Sequence, residues 1–112
     1  MSKVFDSKIV DLEYNSIDSS QVISPSDGIQ TGFAEVGETS KLKTGVWRHP
    51  VGVSTDTEVD EVFVVIEGKG RVILKDGTIL NLHPGVVGTL LPGEETKWEI
   101  DEPLTKVWIV SK

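Results

Sequence analysis

Glu61-Val62-Phe63-Val64-Val65-Ile66-Glu67-Gly68-Lys69-Gly70-Arg71-Val72-Ile73-Leu74 is the stretch on which the fold turns. Side chains alternate between faces along a strand, so Glu61, Phe63 and Val65 share one face, and Val62, Val64 and Ile66 share the other. Both faces are apolar, and Glu61 sets a carboxylate on one of them. Gly68-Lys69-Gly70 predicts a tight hairpin connection into a second strand. Lys75-Asp76-Gly77-Thr78 predicts the next turn, with Gly77 free to adopt positive φ.

Outward from this stretch the pattern repeats. Val, Ile, Thr, Phe and Trp dominate segments 30–36, 42–48, 51–56, 61–67, 69–75, 78–82, 86–91, 95–100 and 104–110, which read as strands. Gly37-Glu38, His49-Pro50, Gly68, Asp76-Gly77, Pro84-Gly85, Pro92-Gly93 and Asp101-Glu102-Pro103 read as turns. No window from 28 to 112 keeps a 3.6-residue apolar period, so little helix is expected there. Many short strands at regular spacing predict an all-β sandwich or barrel. Residues 1–24 mix apolar pairs with Ser and Asp and read as an arm or as early strands, closed by the Pro25-Ser26-Asp27-Gly28 turn. The expected organisation is an N-terminal arm over 1–27 and one barrel domain over 28–112.

Composition narrows the function. The 112 residues carry a net charge of −7 and no cysteine. An acidic surface repels phosphate backbones, and Lys41 with Lys43 is too thin a basic signal to form a groove, so nucleic acid is not an expected partner. Without cysteine there is no disulfide framework and no thiolate chemistry. No stretch reaches 18 apolar residues, and Asp6 and Asp11 interrupt the start, so neither a membrane span nor a signal peptide is expected, and the cytoplasm is the default location.

Several residues carry candidate chemistry. Glu61 on its apolar face suits a general acid or base. Trp47 and Trp98 present large planar surfaces with one N–H donor each, suited to stacking on a ligand. Trp108 and Tyr14 are weaker candidates of the same kind. Arg48 and Lys106 suit an anionic group. His49 and His83 each stand alone beside a proline, so neither begins a His-x-His pattern. Asp56, Glu58 and Asp60 share one strand parity and Glu61 has the other unless the strand turns between them, so the group reads as a solvated acidic loop. No phosphate-binding glycine loop and no Gly-x-Ser-x-Gly elbow is present.

The order Gly45-Val46-Trp47, Pro50, Glu61 with Gly68 beyond it, Asp76-Gly77, Leu82, Pro84-Gly85, Leu91-Pro92-Gly93, Trp98-Glu99 and Lys106-Val107-Trp108-Ile109-Val110 resembles the cupins. More narrowly, it is similar to the small single-domain cupins grouped with ureidoglycine aminohydrolase and the ethanolamine-utilisation cupins. The resemblance implies a jelly-roll β-barrel with a central pocket, often dimeric. In metal-binding cupins a first motif supplies two His and one Glu, and a second motif another His. Glu61 matches that Glu. The His positions fall near Thr55, Thr57 and Thr96, and Val86 stands where the second motif carries Asp. Three of the four usual ligands are thus absent, so no metal and no cofactor is expected. Thr55, Thr57 and Thr96 become candidate ligand-lining residues instead. A lysine also recurs late in the barrel of such cupins, at the place of Lys106.

Three functions follow as expectations. The first is binding of a small polar metabolite in the barrel without a conventional metal site. The second is a small enzyme acting on a ureido or amine-type metabolite with Glu61 as acid or base. The third is an interaction module whose barrel is filled by Phe63, Val65, Trp47 and Trp98. A small-molecule ligand and a second copy of the chain are the expected partners.

Overall fold

A computed structural model describes residues 2–112, and within them nine strands and one 3-10 turn. The strands are β1 (Glu13–Ser16), β2 (Val22–Ser24), β3 (Gln30–Glu38), β4 (Leu42–His49), β5 (Gly52–Thr57), β6 (Glu61–Leu74), β7 (Ile79–Leu82), β8 (Val87–Leu90) and β9 (Glu95–Ser111); the turn is Ser19–Gln21. Every strand pairing among them is antiparallel.

Two long strands organise the barrel. β6 and β9 pair along their lengths, from Glu61↔Val110 to Leu74↔Thr96. The later half of β9 pairs with β4, and the earlier half pairs with β5. The earlier half of β6 pairs with β8, and the later half with β7. One face therefore runs β1-β3-β4-β9-β6-β8 and the other β2-β5-β9-β6-β7, with β6 and β9 bending from one into the other. This is the jelly-roll barrel that the cupin resemblance implies, within the sandwich-or-barrel class read from the strand pattern.

The bend corrects two expectations. Gly68-Lys69-Gly70 is not a hairpin, because β6 continues through it; Asp101-Glu102-Pro103 does not end a strand, because β9 continues through it. The two irregularities face each other, with Lys69 opposite Glu102 and register shifts between Val65 and Gly70. Extra residues at such bulges bend a strand without ending it. Gly68 has φ +91°, and a Cβ there would lie 2.2 Å from the Pro103 carbonyl oxygen. The glycine thus permits the close crossing of two bent strands, where sequence reading assigned it a chain reversal.

The core lies between the two faces and is built from Phe63, Val65, Val72, Leu82, Leu90, Trp98, Ile100 and Leu104. The alternation read from β6 holds, since Phe63 and Val65 are buried while Val62 is exposed. Residues 13–24 attach to the barrel edges: β1 pairs with β3 through Tyr14↔Gly32, and β2 pairs with β5. Among the described residues no helix is long and apolar enough to cross a membrane.

Candidate functional site

One end of the barrel opens into a cavity of about 470 Å³. Strand parity decides its lining. On β4, Trp47 faces inward and opposes Lys106 on β9; two residues further along β9, Trp108 also faces inward. On β6, Glu61 and Phe63 share the inner face, with Glu61 at the mouth. Phe33 stacks on Trp108 with ring centroids 5.2 Å apart and planes 13° apart, which closes one wall.

Lys106 sits at the centre of this arrangement. Its Nζ donates to Glu61 Oε2 at 2.6 Å, and the two side chains are 6% and 11% exposed. The same Nζ lies 4.7 Å from the Trp47 ring centroid, 4.7 Å from Trp98 and 4.9 Å from Phe63. Ring faces carry negative potential, so three of them and one carboxylate offset the loss of water around the buried ammonium.

Glu58 follows the end of β5, where the chain turns. Its N–H donates to Glu94 O and its carbonyl accepts from Gly93 N, each at 2.8 Å. Both main-chain groups are thereby held to the turn between β8 and β9. Its side chain reaches inward, where Oε2 accepts from Thr96 Oγ1 at 2.6 Å and from Trp98 Nε1 at 3.0 Å. Asp56 stands at the mouth and accepts from the Thr57 N–H at 2.8 Å. Partial burial holds its carboxyl above the usual carboxylate range, opposed by the Thr57 hydrogen bond and by the charge of Lys106.

The sequence candidates divide. Glu61, Trp47, Trp98, Lys106 and Thr57 line the cavity, as does Trp108. Thr96 adjoins it as the donor that fixes Glu58. Arg48 has the opposite parity on β4; it leaves the cavity and bonds Glu67 at 3.2 Å and Thr105 at 2.6 Å on the outer surface. Thr55 likewise lies outside the cavity, on the outer face of β5. Tyr14 packs over Gly32 beside Arg48 and not at the mouth.

The acidic loop is also corrected. Asp56, Glu58 and Glu61 all line the cavity, because β5 ends at Thr57 and the chain turns before β6 begins at Glu61, which brings Glu61 to the side that strand parity gave to Asp56 and Glu58. Glu58 was readable only by recognising that turn.

His49 is fully buried at the end of β4. Its Nδ1 lies 2.6 Å from Pro50 O, which only accepts, so Nδ1 carries the proton and Nε2 accepts from Ser54 Oγ at 2.8 Å. Burial lowers its proton affinity, and the neutral ring is part of the packing.

The donor set does not suit the metal of metal-binding cupins. Thr55 is outside, Thr96 donates to Glu58, and Glu61 is held by Lys106. A hydroxyl is a poor sole ligand for a first-row transition metal. Among the described residues no group of three His, Cys, Asp or Glu side chains is arranged to hold one.

Barrel topology and an inward-lined cavity at one end define a single-barrel cupin. The sequence model of the EutQ-like cupin domain matches residues 36–108, and the chain belongs to that family. The EutQ protein of Clostridium difficile superposes with a TM-score of 0.68 at 16% identity, over 86% of this chain and 75% of that one. A putative ethanolamine utilization protein Q from Salmonella typhimurium gives 0.63 at 14% identity, over 88% and 94%. A DUF861-family protein from Pseudomonas syringae gives 0.78 at 23% identity, over 91% of this chain but 45% of that one. At these identities the likeness is one of fold. No curated protein matches the chain.

Proposed function

We propose that this chain binds a small polar metabolite in the barrel cavity without a metal ion. The observation that carries the reading is the Lys106–Glu61 contact at 2.6 Å inside the ring of Trp47, Trp98 and Phe63. The cation in the barrel is a side chain, and the carboxylate that matches the cupin metal ligand is already neutralised by it. A cavity with aromatic walls and a few convergent polar groups is the usual form of a small-molecule site. Binding is favoured over catalysis by Glu61, since Lys106 Nζ already occupies its Oε2 at 2.6 Å.

The test has two parts. Elemental mass spectrometry on protein purified without added metal should find transition metal well below one atom per chain. A thermal-shift screen of polar metabolites should give hits that persist in chelator. A stoichiometric metal, or hits abolished by chelation, overturns the metal-free reading. The homodimer stands as a second proposal, supported by Val62 and Val87, which are exposed on one face of β6 and of the edge strand β8. Light scattering at several concentrations tests it, and a monomer throughout overturns it.

A further inference from the structure

We propose that the cavity takes a small organic cation, an alkylammonium or quaternary ammonium group, seated on Glu58 between the indole walls. The inference deepens the binding reading and rests on it.

Charge pairing in the cavity leaves a remainder. Four carboxylates line it, from Glu35, Asp56, Glu58 and Glu61, against the two ammonium groups of Lys43 and Lys106. Lys43 is taken by Glu35 at 3.6 Å and Lys106 by Glu61 at 2.6 Å. Asp56 and Glu58 have no Lys or Arg contact among the described residues.

Glu58 is the sharper of the two. It is 7% exposed, and both of its side-chain hydrogen bonds go to the same oxygen, Oε2. Among the described residues Oε1 accepts none, although Glu58 lines the cavity. Oε1 is not among the enclosed side-chain atoms left without a partner, so it opens to the cavity, and the two neutral donors leave the carboxylate's charge uncompensated by any cation. A cation entering the cavity would supply the missing partner.

The walls suit the same guest. Trp47, Trp98, Trp108 and Phe33 present aromatic surface to the cavity. Such rings attract a cation whose substituents are apolar and whose own hydration is weak. Lys106 is an internal precedent, because the same barrel already holds one alkylammonium within 4.9 Å of three ring centroids.

The test uses the full chain and four probes at constant ionic strength: tetramethylammonium, n-butylammonium, butyrate and n-butanol. All three tryptophans line the cavity, so their fluorescence reports occupancy, with calorimetry as a second readout. Saturable binding of at least one ammonium probe is expected, at least tenfold tighter than butyrate or butanol. Glu58→Gln, which keeps the shape, should weaken it at least tenfold, while Asp101→Asn, on the outer surface beside Arg71, should leave it unchanged. Should Glu58→Gln fail to fold, Asp56→Asn at the exposed mouth carries the test with an expected threefold or greater loss. Butyrate binding as tightly as the ammonium probes, no saturable ammonium binding, or equal affinity in the charge-removed variants overturns the proposal. If neutral or anionic metabolites bind and no ammonium does, the cation assignment falls and the binding reading stands. If no metabolite of any charge binds, the binding reading falls with it.

Discussion

Lys106 and Glu61 meet at 2.6 Å although their backbones are not register partners: Glu61 opposes Val110, four residues further along β9. The lysine stem therefore runs along the inner wall, over the Phe63 ring, to reach the carboxylate at the mouth. The pair is both the electrostatic centre of the cavity and a strut between the two longest strands.

Removing one partner should cost more than removing both charges. Lys106→Met leaves Glu61 buried without a cation, and loss of one partner from a buried pair costs about 3–5 kcal/mol. The pair is nearly enclosed, so little discount for solvent applies. Lys106→Met with Glu61→Gln should recover at least about 1 kcal/mol of that loss. Urea unfolding of the single and double variants measures this coupling, and simple additivity would show that the two groups act independently.

Gly45 should tolerate no side chain. A Cβ there would lie 2.0 Å from the Ala34 carbonyl oxygen and 2.2 Å from Trp108 Cζ2. Neither the paired backbone nor the indole stacked on Phe33 can yield cheaply. Gly45→Ala should destabilise by about 2 kcal/mol or more, in the upper range for overpacking. Urea unfolding checks the loss, and altered tryptophan emission would show that the Trp108 wall has moved. Unchanged stability would mean that the contact relaxes.

Acid should weaken the fold through His49 before the carboxylates respond. Its folded proton affinity lies below the ordinary value of 6.5 because of burial. The unfolded chain then binds the proton first, so stability rises with pH in that window. The His49 contribution is complete above 6.5 and is lost as pH falls from there toward the lowered folded value. The groups facing the ring are Ser54, Pro50 O and Trp47, none of which titrates near neutrality. Urea midpoints at pH 8, 7, 6 and 5 should fall in the wild type, with the slope above pH 5 flattened in His49→Gln.

Asp56 should act in the opposite sense. Its folded proton affinity is raised above 3.8, so the folded chain holds the proton longer and stability falls as pH rises through that window. Asp56→Asn should therefore raise the melting midpoint at pH 7 by a small amount, because the residue remains exposed. A lowered midpoint would show that the Thr57 contact outweighs burial.

Much of the barrel was legible because strand signals are local. Alternation alone put Phe63 and Val65 on one face with Glu61, and the structure turns that face inward, where Trp47 and Lys106, also named in the cupin-like motif order, line the cavity. Gly68 was misread because a glycine that reverses the chain and one that permits a close crossing have the same local chemistry. What distinguishes them is Pro103 on another strand.

The sequence by itself determined the all-β class, the turns at Asp76-Gly77, Pro84-Gly85 and Pro92-Gly93, the acidity, and the absence of a His-rich metal motif. Those properties follow from side-chain alternation, backbone preference and donor chemistry, which depend on a few neighbouring residues. Only the tertiary structure decided that Lys106 neutralises Glu61, that Arg48 points away, and that Glu58 turns inward to Thr96 and Trp98. These depend on how bent strands far apart in sequence meet around one cavity, and no local pattern encodes that distance.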